Sequence, residues 1–505
     1  MKHNSLSRWA IATVGATIAV VCFGAGASNV SAARAKDTLK IVYPIEPANM
    51  NPVKQANSFG NFWEAIQEPL IKQNYKFQIT KDGIITDWKQ TTPGVWRFSI
   101  RPGLKFTNGE PLDANAVGFT LRTYRDTVGA PMRAYLLKLV ATKVINKTTL
   151  EATFASPDIS IPAVLSSVRA LPAVYYSQVG FDIFGLNPIG SGPYKFSSWQ
   201  KGFELRLVRN DRYWGTKAKI KNLIFTFASD GDTRANLLAS GAVDFAHPIS
   251  VQRQAGLKTK KTTVVQKADR VQLALFMMAQ KTQLSDIRLR QAIVKSLNVE
   301  AITKAVLFGK GKPNCSLLLP LLSNSGVPFC PKPDLAKAKS LTAQFATPTI
   351  TLNYGPSRGA NDESVVQAIK AQLQAGGFIV NLNAMDYQKM TIDLVTGKLE
   401  GLVFFAISPV FPFPSVYSQG FLTSTSITKN CPIPGIDALN TQALSRPKVE
   451  GSDKLFAEME KIGITNGFCM IPLYNEVKMW GMSTGLAGFT APENNIVSWS
   501  ELYWK

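Results

Sequence analysis

Gly355-Pro356-Ser357-Arg358-Gly359 has the G-x-S-x-G spacing that presents a serine on a tight turn between a strand and a helix. A serine so placed becomes a nucleophile only when a histidine takes its proton and an acid orients that histidine. In the elbow family both follow the serine in chain order. The chain has two histidines. His3 falls in an N-terminal leader, and His247 precedes Ser357. The expectation is therefore not an enzyme, with a secreted serine hydrolase using Ser357 as the weaker alternative. Gly190-Ser191-Gly192 is too short for a dinucleotide fingerprint, and Pro193 stops a helix from continuing through it. No cofactor is expected.

The thiols offer a different chemistry. Once a leader carrying Cys22 is removed, Cys315, Cys330, Cys431 and Cys469 remain. An even number in an oxidising compartment favours disulfides, and three connectivities are open. Cys315–Cys330 would close a short Pro-rich loop and is favoured together with Cys431–Cys469. No Cys-x-x-Cys and no neighbouring histidine supports a metal site.

Composition supplies the setting. The chain has 505 residues, 45% of them hydrophobic and 18% charged, which fits a globular protein of two or more domains. Lys2 and Arg8 flank an apolar run from Trp9 to Phe23, and Val30-Ser31-Ala32 offers small residues for cleavage. A secretory signal peptide over 1–32 is predicted, cut after Ala32, with Ala35 as the alternative. The run falls short of the ~20 residues of a membrane span. Val21 before Cys22 argues against a lipid anchor. The formal net charge is +22, and Lys2 and Arg8 leave with the leader. Basic residues are scattered and form no dense block with aromatics, so nucleic-acid binding is not expected. A basic field of this kind attracts anionic solutes.

The elements that must position these residues follow from periodicity and caps. Strands are predicted at Leu39–Tyr43, Val95–Arg101 and Leu223–Phe227, and an apolar one at Val271–Ala279. Helices are predicted at Asn61–Leu70, after Asp113 to Tyr124, after Asp286 and after Asn298. Ser357 and Arg358 sit in a turn between a strand, Ile350–Tyr354, and a helix opened by Asp362 and ended by Gly376-Gly377. A strand at Phe378–Leu382 follows. Strand–helix–strand order implies α/β layers.

Residues Asn187 to Gly215 (NPIGSGPYKFSSWQKGFELRLVRNDRYWG) begin with a Pro/Gly turn and continue as a hairpin in which Phe203, Leu205 and Leu207 alternate with polar residues. The wording closely resembles the N-P-x-G-[ST]-G-P-Y…R-N-x-x-Y-W segment of family 5 extracytoplasmic solute-binding proteins, the peptide- and nickel-type receptors of ABC importers. Trp96 to Val117, Ala235 to Asp244 and Leu284 to Ile302 resemble further family segments in the same order, although Asn108 and Asn115 replace two usual acids.

The resemblance implies an α/β, two-lobe periplasmic binding protein fold with a ligand cleft between the lobes. Lobe I would hold 33–270 plus 476–505, with an inserted subdomain at about 76–190. Lobe II would hold 271–475. The implied function is a monomeric receptor that closes by hinge motion around a peptide-like or carboxylate-bearing solute and delivers it to a permease and ATPase. A non-transport binding or chaperone module on the same scaffold is a further alternative. Tyr354–Glu363 resembles the family segment that places Arg358 at a carboxylate-binding position, where a guanidinium fork suits that group. Ser408 falls where dipeptide receptors carry an acid for the ligand amine, and no Asp or Glu occurs from Gly401 to Ile436. Phe405, Phe411 and Phe413 could stack on a ligand. Tyr43, Met277 and Trp480 match segments that approach the cleft in the family.

Overall fold

The computed structural model describes residues 37–54, 61–280, 282–318, 332–356, 358–359, 361–426, 428, 433–493 and 496–505. The expected leader with its cut after Ala32, Ser357, Cys330 and Cys431 lie outside them. Cys315 and Cys469 are both disulfide-bonded.

The principal strands are β1 Thr38–Tyr43, β2 Ile85–Thr92, β3 Val95–Ile100, β4 Leu139–Asn146, β5 Thr149–Phe154, β6 Tyr194–Gln200 and β7 Glu204–Arg209. They continue as β8 Asn222–Phe227, β9 Phe245–Ala246, β10 Thr262–Met278, β11 Thr349–Tyr354, β12 Ile379–Ala384, β13 Gly401–Ile407 and β14 Met470–Ser483. An eleven-stranded sheet is the spine of the molecule. Its spatial path is β12-β11-β13-β10-β14-β9-β1-β8-β7-β6, with Lys312–Pro313 beside β14. β2-β3-β5-β4 forms a separate antiparallel sheet.

β10 and β14 join the two lobes. Thr262–Ala268 pairs with Ser483–Val477 in one half, and Gln272–Phe276 pairs with Asn475–Met470 in the other. The register shifts between Ala268 and Gln272, an irregularity of the kind that bends a strand and re-aims its side chains. The apolar stretch from Val271 is explained by burial on both faces. Leu273, Leu275 and Met277 pack with Leu289, Ile293 and Val366. Ala274, Phe276 and Met278 enter a second core, which runs on through Phe411 and Tyr135 to Phe98 and Leu150 of the four-stranded sheet.

Local capping agrees with the sequence. Asp113 accepts from the backbone N–H groups of Asn115 and Ala116, Asp286 from that of Arg288, and Asn298 from that of Ala301. The helix expected over Asn61–Leu70 stops at Ile66. The Ile66 carbonyl there accepts a hydrogen bond from the Gly192 N–H at 2.8 Å. A Cβ on Gly190 would lie 2.0 Å from the Ile66 oxygen, and one on Gly192 would lie 2.5 Å from the Ala65 oxygen. Gly190 and Gly192 are thus required by backbone contact. At the other end of the same segment, Tyr213 Oη and Trp214 Nε1 each donate to Glu68 at 2.7 Å. Burial pushes the Glu68 carboxyl up to about 7 against these two donors. Phe203, expected on the buried face of the hairpin, is exposed at its tip.

Candidate functional site

The parallel strands of both lobes deliver their carboxyl ends to one place. Tyr43 ends β1, which runs parallel to β8 and β9, and His247 follows β9. In the other lobe β11 is parallel to β12 and β13. Arg358 follows β11, Tyr387 opens the helix after β12, and Ser408 follows β13. Ligands in open α/β sheets bind at such ends because loops and helix termini converge there. These five residues line a cleft with about 590 Å³ of empty volume, open to solvent. Val271 and Lys478, from the two strands that cross between the lobes, complete its wall.

Arg358 is the centre of a buried charge network. Its Nε lies 2.7 Å from Asp362 Oδ2 and its Nη2 lies 2.6 Å from Asp362 Oδ1. Its Nη1 donates to Glu476 Oε2 at 3.2 Å, and Lys478 Nζ lies 2.8 Å from the same oxygen. Arg358 is 8% exposed. Burial works against its charge, and Asp362 and Glu476 more than offset that, so the guanidinium stays protonated. Burial likewise opposes ionisation of Glu476, but Arg358 and Lys478 outweigh it and hold the carboxyl at about 2. His247 is driven down to about 3 by burial, with Lys478 adding to the effect. Its ring is therefore neutral at physiological pH. Nδ1 lies 3.1 Å from the Met479 carbonyl and so carries the proton. Among the described residues no group of three or more His, Cys, Asp or Glu is placed to hold a metal ion.

Of the residues singled out from sequence, Arg358, Ser408 and Tyr43 reach the cleft wall. Phe405 is half-buried and stacks on Tyr387, with ring centroids 5.8 Å apart and planes at 7°. Four expected contacts are corrected. Phe411 meets Tyr135 edge-on at 4.9 Å, and Phe413 meets Phe456 edge-on at 5.8 Å. Both rings are buried in the core that joins lobe II to the four-stranded sheet, because a Pro-rich loop with no charge finds apolar partners there. Met277 is fully buried beneath the helices of lobe II. Trp480 is also fully buried. It stacks on the back of His247 at 5.0 Å and 9°, one layer behind the cleft.

Comparison with known proteins fits this geometry. The family model described as bacterial extracellular solute-binding proteins, family 5 Middle, matches residues 80–429. The chain belongs to this family. The glutathione-binding protein GsiB of Pectobacterium atrosepticum is 25% identical to this family 5 protein over 323 residues, which is 61% of this chain and 60% of that protein. GsiB of Salmonella paratyphi A is 24% identical over 419 residues, covering 78% of this chain and 80% of its own. The solved structure of AgaA from A. tumefaciens R10 with agropinic acid superposes with a TM-score of 0.84 at 18% identity, covering 93% of this chain and 99% of that one. These structures share the two-lobe α/β fold. As a family 5 member the protein is a substrate-binding receptor of an ABC importer, and its relatives are binding proteins by name.

Sequence reasoning missed Asp362, Glu476, Lys478 and Tyr387 as parts of the site. Asp362 carried one signal: it stands four residues after Arg358, within reach of an ion pair across one helical turn. Glu476 carried none, because it is 118 residues from Arg358.

Proposed function

We propose that this receptor binds a small, carboxylate-bearing or peptide-like solute in the interlobe cleft, without chemical turnover. It acts as a monomer in the periplasm after loss of residues 1–32, and it has no nucleic-acid partner. Residues 33–270 plus 476–505, carrying an insertion at about 76–190, form one lobe, and 271–475 form the other. Closure about β10 and β14 is driven by ligand contacts to both lobes, since only differential affinity for the closed form can shift that equilibrium. The observation that carries this reading is the buried guanidinium of Arg358 on a cleft wall shared by both lobes. Names of relatives support it: one binds glutathione and another was solved with agropinic acid, both acids.

The test is mass spectrometry of solutes that co-purify with the mature protein, followed by calorimetry of the solute found. An acid is expected, and Arg358→Ala is expected to weaken its binding at least about tenfold. A cationic or neutral solute whose affinity Arg358→Ala leaves unchanged would remove Arg358 from the site. Ester or amide turnover abolished by Ser357→Ala would overturn the non-enzymatic reading.

A further inference from the structure

We propose that Lys478 is a second ligand contact: its ammonium completes an oxyanion subsite with Arg358, and one carboxylate of the solute bridges the two cations. This rests on the receptor reading above and names a recognition residue within it.

The charge network is balanced in number but polarised in space. Arg358 and Lys478 are the only charged side chains on the cleft wall among the described residues. The carboxylates that neutralise them, Asp362 and Glu476, line instead a neighbouring cavity of about 420 Å³ of empty volume. The network therefore turns its positive side to the cleft and its negative side away. His247 does not alter this, because its ring is neutral.

Hydrogen-bond capacity points the same way. A lysine ammonium has three donors, and a guanidinium has five. The Lys478 side chain is 8% exposed, and among the described residues its ion-pair partner is Glu476. Among the described residues, two of its donors remain uncommitted. Among the described residues Arg358 spends three donors on Asp362 and Glu476, which leaves two. Donors on a buried cation lose free energy unless an acceptor or water meets them. Ser408 stands on the same wall, and Ala406 and Ile45 add no charge. A ligand oxyanion is the group whose acceptor count and charge match this surface. Because Lys478 lies on β14, which passes between the lobes, an anion held by Lys478 and Arg358 ties the crossing strand to lobe II.

The probe is N-acetylglycine, which has one carboxylate and a blocked amine, set against N-acetylglycinamide, its neutral counterpart. Thermal unfolding of the mature protein is followed with each, at matched ionic strength. The acid is expected to raise the midpoint, because a solute that binds only the folded state stabilises it. The amide is expected not to. The double variant Glu476→Gln/Lys478→Met removes one charge of each sign and so keeps the network balanced. It is expected to weaken acid binding about tenfold or more, the size of a lost charge-assisted hydrogen bond. Lys478→Arg is expected to stay within about threefold of the unmodified protein, since it keeps the cation. If the double variant does not fold, Lys478→Gln against Lys478→Arg gives the same reading.

The proposal is overturned if acid and amide act alike, or if removing the Lys478 charge leaves acid binding intact. A parallel screen of sugars and amines separates the two levels. Acid binding that survives loss of the Lys478 charge leaves the carboxylate reading standing and sinks this one, whereas stabilisation by a sugar or amine but not by the acid sinks both. No stabilisation by any solute sinks both.

Discussion

Glu68 is buried and Glu476 largely so, its side chain 14% exposed, and each accepts two contacts, yet their surroundings drive them in opposite directions. Glu68 lies beneath the Asn187–Gly215 segment, where its donors are the neutral Tyr213 hydroxyl and Trp214 indole. Neutral donors do not offset burial there, and the carboxyl rises to about 7. Glu476 lies where β14 passes behind the cleft, between Arg358 and Lys478. Two cations overcome the same penalty, and its carboxyl falls to about 2. The first region is scaffold, held by neutral hydrogen bonds and by glycines that permit backbone contact. The second is a store of opposed charge beside an open cleft. The wording that identifies the family belongs to the first, and the chemistry that can recognise a solute belongs to the second.

The largest expected effect comes from unbalancing the second region. Arg358→Ala leaves Asp362 and Glu476 buried without their principal counter-ion. It is expected to cost about 3–5 kcal/mol at pH 7, measured by urea unfolding. A cost under about 1 kcal/mol would mean that water reaches the network and that the two regions differ less than their geometry indicates.

The pH dependence sharpens the contrast, because the two carboxylates should act with opposite sign. The folded-state pKa of Glu476 is lowered from 4.5 to about 2. Its contribution is present above pH 4.5 and is lost as the pH falls through about 2. The folded-state pKa of Glu68 is raised from 4.5 to about 7. Its contribution is present below pH 4.5 and is lost as the pH rises through about 7. Glu68→Gln should therefore remove a loss on the order of 3 kcal/mol between pH 4.5 and 8. Gln can still satisfy both neighbours by accepting from Trp214 and donating to the Tyr213 oxygen. Glu476→Gln should instead flatten the acid side of the profile. Unfolding midpoints in urea across pH decide the matter, and equal slopes in the two variants would dissolve the comparison.

The smallest expected effect is steric. Gly190→Ala pushes a Cβ to 2.0 Å from the Ile66 carbonyl oxygen. Backbone must move against backbone, and about 1–3 kcal/mol of destabilisation is expected from overpacking. Solute affinity should not change, since Gly190 does not line the cleft. A tenfold change in affinity would show that this corner and the cleft are coupled.

Much of the fold was legible because its signals are local. Asp113, Asp286 and Asn298 cap helices through groups two or three residues away. β1 and β11 end where alternation and turn residues say they should. The Arg358 turn between β11 and its helix is local in the same sense. The aromatic loop was misread because Phe beside Pro has no periodicity that tells a ligand platform from a plug. Only the partner surface distinguishes them, and Tyr135 and Phe456 supply it from elsewhere in the chain.

By itself the sequence determined the family, the α/β order, and the caps and turns, and it singled out Arg358, because each depends on residues close together along the chain. Tertiary structure alone decided what that arginine faces. One strand, β14, carries both Glu476 and Lys478 to it from 118 residues away or more. Burial then fixes their protonation, since the energy of a charge out of water depends on every neighbour at once.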